Sequence, residues 1–117
     1  MLEVTFLRDD RDRHAAICAS GHADFADYGE DIVCAAVSAI LQAARVGLSD
    51  YAGLQIEARQ APGALELRWR EQDRDLENLR AIVATAELAI LAIGRRYPEH
   101  VRVSQSPAER NVSGSGG

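Results

Sequence analysis

Two side chains in this sequence could act together as a nucleophile and its base: His22 and Cys34, both in the stretch GHADFADYGEDIVCAAVSAI at residues 21–40. A cysteine is a strong nucleophile only as the thiolate, and a nearby imidazole or a helix N-terminus favours that form. Eleven residues lie between the pair, enough chain for a loop to return the imidazole to the thiol. From Asp31 onward, Ile32, Val33, Ala36, Val37, Ile40, Leu41 and Ala44 recur at three- and four-residue intervals, the period of an amphipathic helix. Asp31 reads as the start of that helix, accepting backbone N–H bonds and complementing the positive end of its dipole. Cys34 then falls in the first turn, where unpaired amides favour a thiolate and could also hold the oxyanion of an attacked carbonyl.

Asp31, Cys34 and Ser38 share one stripe of this helix, beside the apolar one. Asp31 suits either a cap or a partner that orients His22. Ser38 suits either a hydrogen bond near the thiol or one back to the helix carbonyl a turn earlier. Gly21 and Gly29 permit tight or rearranging backbone around the loop of residues 23–30. That loop carries Asp24, Asp27 and Glu30 interleaved with Phe25 and Tyr28; with Asp31 it sets four carboxylates beside the thiol. Such a rim suits a basic substrate and opposes thiolate formation until the acids are neutralised. The same residues would serve equally as a solvated loop, and a cysteine between Val33 and Ala35 is also what a small buried hydrophobe looks like. Spacing alone leaves both readings open. Cys18, in a run of small residues, reads as buried packing, and His14 and His100, at strand starts, read as surface residues.

The elements that must position this stretch are legible from period. Leu2, Val4 and Phe6 alternate as in a half-buried strand, and RDDRDR, too charged to bury, reads as the turn leading to a second strand over His14–Ser20. The helix from Asp31 should run to about Asp50. LQIEARQ and ALELRWR flank Ala61-Pro62-Gly63 as a hairpin. Leu76, Leu79, Val83, Ala86, Ile90, Ile93 and Tyr97 then mark a long amphipathic helix ended by Pro98, and HVRVSQ supplies a last strand. The order ββαββαβ predicts an α+β domain: a two-layer arrangement of one sheet and two helices over residues 1–105, followed by a disordered tail at 106–117. The stripe on the second helix fits core packing against the sheet better than a partner helix.

Length and composition exclude several functions. A chain of 117 residues holds one domain, without room for separate catalytic and regulatory modules. Two cysteines, with no CxxC pair, argue against a disulfide framework or a redox dithiol, and Cys18, His22 and Cys34 lack the compact spacing of a zinc site. No metal and no cofactor are expected. Net charge is −5, with 18 acidic residues against 13 basic ones, all arginine, which argues against direct nucleic-acid binding and leaves room for a basic partner. No leader pattern is evident, and no apolar run approaches the ~20 residues of a membrane span, so a cytoplasmic protein without membrane contact is expected.

Both halves of the stretch at residues 21–40, GHA and DIVCAAVSAI, together with their separation through Gly29, resemble the signature of the ribosomal-processing cysteine protease family Prp, also called YsxB-like. The remainder of the chain agrees with it in length and element order. The resemblance implies a small α+β homodimer without cofactor that removes a short N-terminal extension from large ribosomal subunit protein twenty-seven. It also implies Cys34 as nucleophile, His22 as base, and supporting roles for Asp31 and Ser38. A dimeric binding or ribosome-assembly module of the same fold, not using Cys34 for cleavage, is the alternative.

Overall fold

The computed structural model describes residues 1–21 and 28–107, with side chains throughout except at 28–31. Its elements are β1 (Leu2–Arg8), β2 (His14–Ser20), α1 (Tyr28–Val46), β3 (Ile56–Ala61), β4 (Ala64–Trp69), α2 (Glu77–Arg96) and β5 (Val101–Ser106), which is the predicted α+β order. A π-helical turn, Gly47–Tyr51, carries the end of α1 on to about where the helix was expected to stop.

The strands form one sheet in the order β3-β4-β2-β1-β5. β1 pairs antiparallel with β2 and parallel with β5, so the chain crosses over through α2 to reach the far edge. Alternation puts Leu2, Val4 and Phe6 of β1, Ile17 of β2, Leu67 and Trp69 of β4 and Val101 of β5 on one face. Both helices cover that face: Val33, Val37 and Leu41 of α1 and Leu79, Val83 and Ile90 of α2 complete the core. The stripe on α2 is thus spent on the sheet. Its outermost members, Leu76 and Tyr97, lie beyond the helix and stay partly exposed. Burying side chains such as Phe6, Leu67 or Ile90 is worth about 1.5–3 kcal/mol each. Two helices on a single sheet face therefore suffice to hold a chain of this size.

Three expectations fail, the first only in part. The β1–β2 connection is exposed at Asp10, Arg11 and Asp12 as its charge implies, but its first acid is buried. Asp9 is 7% exposed, its Oδ1 accepting the amides of Arg11 and Arg13 at 2.9 and 3.0 Å and its Oδ2 the guanidiniums of Arg13 and Arg74 at 2.9 and 3.0 Å. Burial alone would raise this carboxyl's pKa, but the Arg13 amide, the Arg74 guanidinium, the Arg11 amide and the Arg13 charge together bring it down to about 2. A charge can be buried when every lone pair is met.

His14 is also not a surface residue. It is buried, with Nε2 2.9 Å from Oε1 of Glu87 on α2, and the same carboxylate accepts from Arg8 at 3.2 Å and from Gln105. His100 is half-buried. Finally, the segment Ile32–Tyr51 is long and apolar enough to cross a membrane by length and composition. In the fold this segment packs against the sheet, with Val33, Val37, Leu41 and Leu48 buried while Ile32, Val46 and Tyr51 remain exposed.

The final strand extends one residue into the segment read as tail, to Ser106, and residues 108–117 lie outside the described residues.

Candidate functional site

β2 ends at Ser20, and the chain leaves the sheet at Gly21 with φ +99°. The Gly21 amide donates to the Gly63 carbonyl at 2.9 Å, tying the exit to the turn between β3 and β4. A Cβ at Gly21 would stand well inside 3.0 Å of the Met1 carbonyl oxygen. Only glycine combines that φ with so close a backbone approach. The residue before His22 is thus held from two sides, by the first residue of the chain and by the β3–β4 turn.

His22 itself lies outside the described residues, as do Asp24, Phe25 and Asp27. The segment expected as a loop through Glu30 is shorter than predicted, because α1 begins at Tyr28 and includes Gly29, Glu30 and Asp31. Asp31 therefore does not cap the helix. Acidic residues are favoured throughout a first turn, where they complement the dipole, so a carboxylate before an apolar run does not mark the cap uniquely. In consequence Cys34 sits in the second turn, and its own amide belongs to the intrahelical ladder. The dipole's influence falls off within the first turn. A thiolate at this position would need a neighbouring side chain to favour it.

Cys34 is half-buried and packs against the core, while Ser38, one turn along, is exposed. Both line a groove of about 300 Å³. One wall is the α1 stripe Cys34, Val37, Ser38, Leu41 and Gln42, spaced by three and four residues. The opposite wall is the tip of the β3–β4 hairpin, at Gln60, Ala61, Gly63, Ala64 and Leu65, and Leu2, Ala19 and Gly21 complete the lining. That lining is mostly apolar, and glutamines on α1 and β3 add amides. A thiol at the side of an open groove can attack a peptide carbonyl that enters it. Leu2, Gln42 and the hairpin residues had no chemical signature in the sequence; among them only Gln42 could have been found, as the next member of the Cys34–Ser38 stripe.

The second cysteine is placed differently. Ala19 faces the groove, so its neighbour Cys18 projects from the opposite face of the sheet. Burial, then the Glu66 carboxylate, pushes the Cys18 thiol up, which keeps it protonated at neutral pH. Neither cysteine forms a disulfide.

Comparison with known proteins decides the family. The model of the family described as "Cysteine protease Prp" matches residues 1–102. This chain belongs to that family. Prp members are peptide hydrolases that work through a cysteine, and the α+β fold agrees. Ribosomal processing cysteine protease Prp of Staphylococcus aureus is 24% identical over 104 residues, covering 89% of this chain and 98% of the relative. The crystal structure of an essential ribosomal processing protease Prp from S. aureus with a substrate peptide superposes with a TM-score of 0.81 at 23% identity, over 90% of this chain and 99% of that one. A further S. aureus Prp structure holds a covalently linked product peptide and gives a TM-score of 0.79 at 23% identity, over 90% of this chain and 99% of that one. A Streptococcus mutans protein structure gives 0.84 at 24% identity, over 91% of this chain and 97% of that one.

Proposed function

We propose that this Prp-family chain is the endopeptidase that removes the N-terminal extension of large ribosomal subunit protein twenty-seven, with Cys34 as nucleophile and His22 as base. The observation that carries the reading is the position of Cys34: in a chain matched by the family over residues 1–102, it is the cysteine that lines the groove. His22 takes the thiol proton and the Cys34 sulfur attacks the scissile carbonyl. The imidazolium then protonates the leaving amine, and water, deprotonated by His22, releases the acyl group from sulfur.

Gly21, the residue before His22, supports the reading, because it is held by the β3–β4 turn and itself lines the groove. With α1 starting at Tyr28, the unpaired amides of the helix lie a full turn before the thiol. Thiolate formation is thus assigned to the imidazole rather than to the helix dipole. Asp24, Asp27, Glu30 and Asp31, close to the thiol in sequence, are the acids assigned to a basic ribosomal substrate. The protein acts in the cytoplasm as a homodimer.

The test incubates the host's ribosomal protein with wild type and with Cys34→Ala, and follows the substrate's intact mass. Wild type shortens the N-terminus and Cys34→Ala leaves it whole. Cleavage that survives Cys34→Ala overturns the assignment of the nucleophile.

A further inference from the structure

β3 is an outer strand of the sheet: β4 pairs with one side of it, and among the described residues nothing pairs with the other. The β3–β4 register fixes which main-chain groups that outer side carries. Pro62 and Gly63 make a two-residue turn, with Gly63 at φ +75°, and Ala61 and Ala64 flank it as a hydrogen-bonded pair. Bonded pairs alternate along an antiparallel ladder, so Arg59 bonds Glu66 and Glu57 bonds Arg68. Ile56, Ala58 and Gln60 therefore turn their N–H and C=O groups outward.

A bond on the other side of the hairpin fixes the same parity independently. Gly21 donates to Gly63, which places residues 63, 65 and 67 on the β2 side and leaves 64, 66 and 68 for β3. The outer edge is also continuous with the catalytic groove, because Gln60 and Ala61, the last residues of β3, line the groove that holds Cys34.

We propose that the outer edge of β3 binds the substrate's main chain as an added strand, through Ala58 and Gln60, and leads it into the groove at Cys34. The inference rests on the peptidase reading above, and it names how that site holds its substrate. A scissile peptide must be extended to present its carbonyl to a thiol, and an extended chain carries unpaired groups at the spacing of a strand edge. Such pairing supplies affinity without reading sequence. Side-chain choice then falls to the apolar lining of the groove, at Leu2, Val37, Leu41 and Leu65. The exposed Glu57 and Arg59 and the shortness of β3, six residues, discourage pairing with arbitrary strands.

The experiment uses synthetic peptides spanning the cleavage site of the ribosomal protein, N-methylated at one amide at a time. With wild type, kcat/KM is expected to fall roughly tenfold or more at every second amide of the segment that pairs with β3 and less than about threefold between them. Ala58→Pro removes an N–H that the β3–β4 ladder does not use. It should raise KM about two- to tenfold, as expected for one lost hydrogen bond, with kcat and the rate of Cys34 alkylation retained. Peptide affinities measured with Cys34→Ala read the edge without the chemistry.

Cleavage with a flat methylation profile overturns the edge and leaves the peptidase intact. A period-two pattern in binding to Cys34→Ala, with no cleavage by wild type, overturns the peptidase and keeps the edge. If Ala58→Pro alters oligomeric state but not KM, the edge belongs to a second copy of the chain and the proposal is wrong. Should that variant fail to fold, the methylated series on wild type decides alone.

Discussion

Replacing Gly21 by alanine tests whether the residue before His22 is held as the fold implies. The added Cβ meets the Met1 carbonyl oxygen well inside 3.0 Å, and the obstacle is backbone rather than the end of a flexible side chain. Relief requires either a shift of the first β1 residues, whose Leu2 amide donates to His100 at 2.9 Å, or rotation of φ from +99°. A non-glycine residue held in such a region costs roughly 1–3 kcal/mol. Losing the Gly21–Gly63 bond adds about 1 kcal/mol. The expected loss is about 2–4 kcal/mol, a large part of the roughly 5–15 kcal/mol that holds an ordinary domain. The catalytic effect should exceed what the unfolded fraction explains, because a displacement of about 1 Å in a base can cost on the order of 100-fold in rate. Urea unfolding gives the first quantity, and kcat per folded molecule the second. An alanine variant within about 0.5 kcal/mol of wild type, the scale of an inconsequential surface change, and cleaving at the wild-type rate would refute the reasoning.

Two further outcomes follow from the buried polar clusters. Asp9 has its pKa lowered from 3.8 to about 2, so its contribution to stability is complete above about 3.8 and is lost as pH falls through about 2. Asp9→Asn should cost about 2–4 kcal/mol at neutral pH, since it sets a neutral group against the buried Arg74 and takes one of three carboxylates from Arg13, which keeps Glu71 and Asp75. It should also flatten the fall in urea midpoint between pH 4 and pH 2 relative to wild type; parallel profiles for the two proteins would rule out the linkage. Glu87→Ala removes the acceptor of His14, Arg8 and Gln105 together and should cost about 2–4 kcal/mol. Its kcat should be unchanged after correction for folded fraction, because His14 begins β2 at the end of the sheet opposite Gly21; a tenfold loss of kcat would show that the cluster reaches the site.

Much of this protein was legible before its fold was described. Period located β1 and α2 nearly to their ends, because a half-buried element repeats its apolar residues at its own spacing, while turn signals placed β2 and, together with alternation, the β3–β4 hairpin. Cys34 stood out by residue type, its spacing from His22 and its place beside the apolar stripe of α1, and the residue types at 21–40 fixed which chemistry was worth considering. The start of α1 was not legible, since the residues from Tyr28 to Asp31 carry no apolar period and an acid at any of them reads equally well as a helix start. Nor were the buried states of Asp9 and His14, whose partners Arg74 and Glu87 lie 65 and 73 residues away.

What the sequence by itself determined was the set of elements and their order, and it nominated His22 and Cys34 as the candidate pair for nucleophilic chemistry. Only the tertiary structure decided that the hairpin tip forms the far wall of the groove beside Cys34, that Gly21 is wedged against Met1, and that β3 lies at an edge. The physical reason is that period and residue type are local properties of the chain, whereas a groove and a free strand edge depend on which distant elements pack together.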